Sequence, residues 1–122
     1  MGTGSGYQAA VLCELFDQVY SIEIVPKLGQ GAKATLDRLG YTNIETKIGD
    51  GYKGWPKHAP FDGILVTAAP VHTPKPLVDQ LKPGGRMVIP VGDFNQDLLV
   101  VTKQEDGASL SRTVLPVRFV PL

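Results

Sequence analysis

The sequence predicts an α/β fold, with a doubly wound, mostly parallel sheet that ends in an antiparallel hairpin. Three observations predict it. A glycine-rich stretch, residues 2–6, leads directly into an apolar helical pattern. Short β-rich runs then alternate with helical patterns up to about residue 91, which is typical of parallel strands joined by crossover helices. Two further β-rich runs are separated by Glu105-Asp106-Gly107, a turn sequence that predicts an antiparallel pair.

Three segments have apolar residues at helical spacing, and the sequence predicts helices over 7–17, 26–39 and 74–82. Pro26 suits the first turn of the second helix, and Gly40 suits the position just after its last turn. The third helix should stop at Pro83-Gly84-Gly85. The residues of this helix that we expect to face inward are Leu77, Val78 and Leu81.

Six runs have the length and composition of strands. In sequence order they are Val19–Ile24, Ile44–Ile48, Phe61–Thr67, Arg86–Val91, Asp97–Lys103 and Leu110–Val120. The third run is nearly all apolar after Gly63, which is typical of a strand covered on both faces. Residues 52–60 contain Gly54, Trp55 and two prolines, and they predict a loop or a short broken helix.

Composition and charge restrict the class of protein. A chain of 122 residues that is 43% hydrophobic and 20% charged is predicted to form one domain over residues 1–122. Twelve Lys and Arg balance twelve Asp and Glu, so we expect no nucleic-acid partner, because such binding needs a basic face. No apolar run approaches the roughly 18 residues of a membrane span, and no signal peptide precedes the glycines, so no membrane partner is expected.

The cysteine and histidines predict no reactive or metal site. Cys13 is the single cysteine and lies in an apolar helical pattern, so we interpret it as a buried hydrophobic residue. A lone cysteine also fits a reducing compartment, and we expect a cytoplasmic location. His58 and His72 lie in loops among prolines, without a carboxylate or cysteine at metal-ligand spacing, and exposed side chains are expected for both.

Candidate ligand residues lie where the predicted strands end, because ligands of doubly wound sheets bind beyond the carboxyl ends of the strands. They are Gly2–Gly6, Glu23, Asp50-Gly51 and Thr67–Pro70. The glycine loop alone would also fit a tight turn without a ligand. Glu23 closes the first strand 17 residues after Gly6, where a carboxylate can accept both hydroxyls of a ribose. Two interpretations of Asp50 stay open: contact with an adenine amino group, or an ordinary Asp-Gly turn.

Seven segments occur in the order seen in protein-L-isoaspartate O-methyltransferases, and the sequence resembles this family over its whole length. The segments are Gly2–Ala10, Val19–Glu23, Gly49–Gly51, Phe61–Pro70, Gln80–Arg86, Ile89–Gly92 and Arg118–Leu122. The most specific parts are Thr67-Ala68-Ala69-Pro70 and Arg118-Phe119-Val120-Pro121-Leu122. The glycine loop alone would fit any Rossmann-like methyltransferase.

The resemblance implies a fold and an activity. The fold is that of a Rossmann-like, S-adenosylmethionine-dependent methyltransferase with strand order 3-2-1-4-5-6-7 and an antiparallel sixth strand. The activity is methyl transfer to the carboxylate of L-isoaspartyl residues in damaged proteins. The methyl ester then re-cyclises to a succinimide, which starts repair, so the implied partners are isoaspartyl-containing proteins or peptides.

The resemblance also implies site residues. Those that bind the cofactor are Gly2, Thr3, Gly4, Glu23, Ile24, Asp50 and Gly51. The first three would lie against the methionine part, Glu23 would hold the ribose, Ile24 would lie against the adenine, and the last two would meet the adenine edge. The residues that border the peptide site are Thr67, Ala68, Ala69 and Pro70, with Val120–Leu122 as a further candidate.

Family members carry a long N-terminal region before the glycine loop, with a serine-containing segment over the active site and the first, central strand. Neither segment is in this sequence, so no catalytic residue is assigned. We expect a vacancy in the sheet between the strand over 19–24 and the strand over 61–67. The chain would close the gap, borrow a strand from another copy as a homo-oligomer, or have lost the strand by truncation.

Two other interpretations compete. Gly4-x-Gly6-x-x-Ala9 fits the looser dinucleotide fingerprint, with Glu23 as its ribose partner, and would suit an NAD-type oxidoreductase domain. That interpretation gives Thr67–Pro70 no role and lacks a catalytic His–Asp or Tyr–Lys pair at recognisable spacing. The missing central strand motivates the other, a folded but non-catalytic remnant.

Overall fold

A computed structural model of the protein describes residues 1–122, which form two compact units, Met1–Gly51 and Tyr52–Leu122. The first unit contains helices α1 (Tyr7–Leu15) and α2 (Pro26–Arg38) and strands β1 (Val19–Glu23) and β2 (Ile44–Ile48). The second unit contains strands β3 (Phe61–Leu65), β4 (Leu81–Gly92), β5 (Gln96–Lys103) and β6 (Ser109–Val117) and the short helix α3 (Lys75–Asp79). Short 3-10 turns span Gly51–Lys53 and Pro56–His58.

The first unit is a two-stranded parallel sheet with its two helices. The strands β1 and β2 pair in register from Val19 opposite Ile44 to Glu23 opposite Ile48. Pro26 occupies the first turn of α2, and Gly40 follows its end with a φ of 85°, as the sequence predicts. The buried apolar side chains of this unit come from all elements except β2: Ala9, Cys13, Val19, Ile22, Ala32 and Leu36.

The second unit is a four-stranded sheet with the order β3-β4-β5-β6. The pair β3–β4 is parallel, whereas β4–β5 and β5–β6 are antiparallel. The predicted turn at Glu105-Asp106-Gly107 is confirmed: Gly107 has a φ of 88°, and its N–H donates to the Gln104 carbonyl at 3.0 Å. The buried apolar side chains include Val66, Leu77, Leu81, Met87, Ile89 and Val101.

The strands form two separate sheets, β1–β2 and β3–β4–β5–β6. The strands β1 and β3 are thus not paired with each other. Within each sheet, the neighbouring strands are those that the resemblance implies. No helix of the structure has the length and apolar composition that crossing a membrane would require.

The predicted end of the third helix was wrong. Helix α3 ends at Asp79, and β4 begins at Leu81, so Pro83-Gly84-Gly85 lies inside the strand rather than stopping a helix. The reason is pairing with β3: the Phe61 N–H donates to the Gln80 carbonyl at 2.7 Å, and the register shifts between Phe61 and Gly63. A Cβ on Gly85 would lie 2.8 Å from the Lys82 carbonyl oxygen, so this irregular strand needs glycine there. Leu77 and Leu81 are nevertheless buried, and Val78 is half-buried.

The prediction that the third strand is covered on both faces concerned the residues after Gly63, and none of these is exposed: Ile64, Leu65 and Thr67 are half-buried, and Val66 is buried. Strand β3 ends at Leu65, and its Asp62 and Gly63 are exposed. On the surface, the Asp62 carboxylate forms an ion pair with Lys82 Nζ at 3.0 Å. β3 lies at the end of the sheet order, where it has only β4 as a neighbour within its sheet.

Candidate functional site

The glycine loop turns the chain into α1 through three left-handed residues. Gly2, Gly4 and Gly6 have φ angles of 80°, 55° and 93°, a region that other residues rarely adopt. A Cβ on Gly6 would lie 3.3 Å from the Ala32 Cβ, so the loop also passes close to α2. The Gly6 N–H donates to the Thr3 carbonyl at 2.9 Å and closes the loop on itself. Glycine is therefore required here for both backbone conformation and close approach.

The loop is bonded directly to β1. The N–H groups of Gly2 and Thr3 donate to the Ile22 carbonyl at 2.9 and 3.3 Å. The Thr3 and Ser21 hydroxyl oxygens lie 2.6 Å apart, and both residues are buried. Ser21 was not among the predicted site residues, because nothing in its local sequence marks a serine in a strand as part of a site.

Glu23 is the buried carboxylate of this unit, with 6% of its surface exposed. Its Oε1 accepts the Gly4 N–H at 2.8 Å, and its Oε2 accepts the Val25 N–H at 3.1 Å. A carboxylate offers about four lone-pair positions, so two amide bonds leave capacity for two further donors. The structure thus joins Glu23 to the glycine loop and fixes both carboxylate oxygens.

The charge of Glu23 also acts on the chain start. Burial lowers the pKa of the Met1 α-amino group to about 6, while the negative charge of Glu23 acts in the opposite direction. Glu23 is the one buried carboxylate of the structure, and it lies beside the glycine loop.

The residues after β1 and β2 lie at the same end of their sheet. Gly49 N–H donates to the Glu23 carbonyl at 2.9 Å, which brings the chain before Asp50 alongside the end of β1. Ile24 is 58% exposed, so a large apolar side chain stands open to solvent next to Glu23. Asp50 is half-buried, and Gly51 is buried at the start of a 3-10 turn. Asp50 thus directly precedes a turn, and its contact with an adenine stays a prediction.

Gly29 shows how α2 approaches this end of the sheet. A Cβ on Gly29 would lie 3.1 Å from the Ile48 Cγ1 and 3.4 Å from the Glu23 Cβ. Glycine inside a helix costs about 1 kcal/mol relative to alanine, so its presence in a helical pattern was the available signal of close contact. Gly31 has open space around it, and nothing in the structure explains it.

The predicted peptide-site segment lies in the second unit. Ala68, Ala69 and Pro70 are buried, and Thr67 is half-buried. The Ala69 N–H donates to the Val120 carbonyl at 2.7 Å, and the Leu122 N–H donates to the Ala69 carbonyl at 3.1 Å. The segment and the end of the chain are therefore brought together, as a short parallel bridge between Ala69 and Pro121.

A buried glutamine holds the end of the chain. Gln96 Oε1 accepts the Phe119 N–H at 2.7 Å, and its Nε2 donates to the carbonyls of Phe119 and Asp93 at 3.0 and 3.2 Å. The bonds to Phe119 span 23 positions in the sequence, so a glutamine at a strand start gave no signal of them. Gln96 fixes the segment that pairs with Ala69.

A second glutamine holds the loop that precedes β3. Gln80 Oε1 accepts the Trp55 N–H, and Nε2 donates to the Lys53 carbonyl, both at 2.9 Å. A Cβ on Gly54 would collide with Oε1 of this amide. The His58 ring packs edge-on against Trp55 with centroids 4.9 Å apart. The expectation of an exposed His58 was therefore wrong, since its side chain is half-buried, whereas His72 is exposed.

Cys13 is buried in α1, as its interpretation as a hydrophobic residue requires. Burial raises the pKa of its thiol, and the neighbouring negative charge of Glu14 adds to the increase. A thiol of raised pKa is a weaker nucleophile at neutral pH because less of it is ionised.

Comparisons with known proteins match the whole chain. A family model described as Protein-L-isoaspartate(D-aspartate) O-methyltransferase matches residues 1–122. The protein-L-isoaspartate O-methyltransferase 2 of Syntrophobacter fumaroxidans is 60% identical over 124 residues, which cover 100% of this chain and 50% of that protein. The chain spans about half the length of the curated relatives it matches.

Two solved structures are similar in fold over 99% of this chain. One, a protein-L-isoaspartate O-methyltransferase, has a TM-score of 0.92 and 32% sequence identity, and the match covers 40% of its chain. The other is a putative protein-L-isoaspartate O-methyltransferase from Plasmodium falciparum in complex with S-adenosyl-L-homocysteine. It has a TM-score of 0.82 and 26% identity, with 62% of its chain covered. The predicted fold, that of a Rossmann-like methyltransferase, is confirmed, and the NAD-type oxidoreductase alternative is not supported.

Proposed function

The chain belongs to the protein-L-isoaspartate(D-aspartate) O-methyltransferase family, and from this premise we propose that it carries the cofactor site and the acceptor segment of an S-adenosylmethionine-dependent methyltransferase. The proposed acceptor is the carboxylate of L-isoaspartyl residues in damaged proteins or peptides. The observation that carries the proposal is Glu23, a buried carboxylate held by one loop amide and one amide at the start of α2. The proposed location is the cytoplasm, which suits a chain with one cysteine.

The residues present fit an adenosyl group. A Cβ on Gly4 would meet only the Gly2 carbonyl oxygen, at 4.0 Å, so a ligand can approach the loop backbone there. The carboxylate of Glu23 keeps acceptor capacity for two ribose hydroxyls in addition to its two amide bonds. The exposed Ile24 offers an apolar surface for the flat face of an adenine. Asp50 and Gly51 are the proposed contacts of the adenine edge.

The chemistry supplied by bound S-adenosylmethionine is an activated methyl group on a sulfonium centre, which departs as a neutral thioether. An isoaspartyl carboxylate is ionised at neutral pH, so the acceptor oxygen needs no general base. The task of this chain is then to bind and orient. Gly2, Thr3 and Gly4 would fix the methionine part, and Thr67–Pro70 with the paired end of the chain would border the acceptor peptide.

The first test is a calorimetric titration of the chain with S-adenosylhomocysteine, with NAD as the control ligand. We expect saturable binding of S-adenosylhomocysteine alone. Binding of NAD with equal or higher affinity, or a folded chain that binds neither ligand, would contradict the cofactor part of the proposal.

A non-catalytic binding remnant is the second candidate, and the separation of β1 and β3 into different sheets favours it. A methylation assay distinguishes the two. Methyl transfer to an isoaspartyl peptide, and none to the same peptide with ordinary aspartate, would favour the enzyme. Binding of S-adenosylhomocysteine without transfer to either peptide would favour the remnant.

A further inference from the structure

Ser21 lies in the middle of β1 and has no part in the cofactor contacts proposed above. Its side chain is buried, with 7% of the residue exposed, and its Oγ lies 2.6 Å from Thr3 Oγ1. Thr3 is 8% exposed, whereas Ser5, the other hydroxyl residue of the loop, is exposed. The hydroxyl pair therefore joins the inward-facing side chain of the loop to the strand.

The loop needs such an attachment because it is rich in glycine. Gly2, Gly4 and Gly6 lose more conformational freedom on folding than other residues do, so an untethered loop would populate many conformations. The amides of Gly2 and Thr3 share the Ile22 carbonyl, and these bonds fix only the backbone at the beginning of the loop. The hydroxyl of Thr3 adds a side-chain attachment at the second of these two residues.

Thr3 in turn fixes the rest of the loop. Its carbonyl accepts the Gly6 N–H at 2.9 Å, so the position of Thr3 sets the turn that leads into α1. Glu23 makes the other side-chain attachment, to Gly4, but its carboxylate is the proposed ligand of the ribose. Ser21 thus differs from Glu23, because its side chain bonds to the loop and is not a proposed contact of the ligand.

We propose that Ser21 is a positioning residue, whose buried hydroxyl bond to Thr3 holds residues 2–4 in the arrangement that receives the methionine part of the cofactor. The identity of the ligand part rests on the proposed function. The attachment of the loop to Ser21 does not depend on the ligand, because it is inferred from the distance of 2.6 Å between the Ser21 and Thr3 hydroxyl oxygens.

The test compares two ligands on Ser21→Ala. S-adenosylhomocysteine carries the amino-acid part, whereas methylthioadenosine has the adenine and ribose but lacks it. We expect the affinity for S-adenosylhomocysteine to fall about five- to tenfold, the range for a lost buried hydrogen bond, and the affinity for methylthioadenosine to change less than about twofold. Equal losses for both ligands would indicate a general structural defect and would overturn the inference, as would no loss.

Two further variants serve as controls. Ser21→Thr keeps the hydroxyl in a residue that suits a strand, and it should restore most of the affinity for S-adenosylhomocysteine. Thr46→Val removes a hydroxyl from the position opposite Ser21 on β2 and should leave both affinities unchanged. If Thr46→Val also weakened binding of S-adenosylhomocysteine more than binding of methylthioadenosine, the effect would not be specific to Ser21, and the inference would be overturned.

A ligand-free measurement separates this inference from the proposed function. In Ser21→Ala, amide hydrogen exchange should become faster at Gly4 and Gly6 but not at Gly49, whose N–H is bonded to the β1 backbone. If the unchanged chain binds neither ligand, the proposed function fails, and this exchange pattern still decides whether Ser21 holds the loop. If Ser21→Ala does not fold, Thr3→Val removes the same bond from the loop side and should give the same local pattern. Unchanged exchange at Gly6 would overturn the inference.

Discussion

Glu23 combines two tasks at the scale of a single residue. Its two oxygens each hold a backbone amide, one in the glycine loop and one at the entry to α2, and we propose that its remaining acceptor capacity serves a ligand. The sequence alone indicated the ligand task, because an acidic residue follows a glycine loop at the expected distance. The sequence could not indicate the two amide bonds of Glu23, which depend on how the loop lies against β1 in the folded chain.

Replacing Glu23 by alanine tests the ligand task. We expect Glu23→Ala to weaken binding of S-adenosylhomocysteine by about 1.5–3 kcal/mol, because hydrogen bonds to a charged group are lost. Calorimetric titration measures the affinity, and thermal unfolding checks that the variant is folded. Lys47→Ala, an exposed change on the neighbouring strand, is the matched control. Unchanged affinity in folded Glu23→Ala would remove this residue from the site.

At the scale of the element, helix α2 contains two glycines with different surroundings. Gly31 is exposed, and a Cβ there meets nothing within 4 Å, whereas a Cβ on Gly29 would lie 3.1 Å from the Ile48 side chain. Both positions carry the same helical propensity cost. The difference between the two therefore isolates the packing of this helix on the end of the sheet.

The matched substitutions are Gly31→Ala and Gly29→Ala. We expect Gly31→Ala to stabilise the protein by about 0.5–1 kcal/mol, because alanine restricts the unfolded chain and favours the helix. Gly29→Ala should increase the stability less, because the new methyl group must displace the Ile48 side chain. Denaturant unfolding measures both. An equal gain at the two positions would mean that α2 does not need a glycine to approach the sheet.

The end of the chain depends on Gln96 for its placement beside Ala69. Gln96→Ala would leave the N–H and carbonyl of Phe119 without their side-chain partner. We expect faster amide hydrogen exchange at Phe119 and at Ala69, because buried polar groups without partners favour local opening. Asp97→Ala, an exposed change at the next position of β5, is the control and should not alter either amide. Protection that persists at both amides in Gln96→Ala would show that the backbone bonds alone hold this segment.

At the scale of the whole molecule, the sequence predicted what depends on local patterns. The alternation of strands and helices, the strand Ile44–Ile48 and the closing antiparallel hairpin follow from residue types and spacing. The sequence did not predict the long-range glutamine and serine attachments, which join residues 18 to 27 positions apart. It also misplaced the end of α3, because pairing with β3 overrode the stop signal of Pro83-Gly84-Gly85.

Strand β6 is the most exposed element of the chain. It lies at the end of the order β3-β4-β5-β6, so β5 is its only neighbour in the sheet. Residues 109–116 are exposed, and they include the apolar side chains of Leu110, Val114 and Leu115. An exposed edge strand with apolar side chains is a template for pairing with another chain. We therefore propose β6 as an edge for self-association, distinct from the edges of the strands over 19–24 and 61–67 at which the sequence predicts it.

We expect the chain to self-associate through this edge, so its apparent mass in light scattering should rise with concentration. Val114→Lys should reduce the rise, because pairing of two copies along β6 would bring like charges together and desolvate them. Phe94→Ser is the control: it removes the most exposed large apolar side chain, which lies between β4 and β5 and not on the edge strand. An equal reduction in both variants would indicate general apolar contact rather than strand pairing. A monodisperse monomer at high concentration would contradict association by any strand edge.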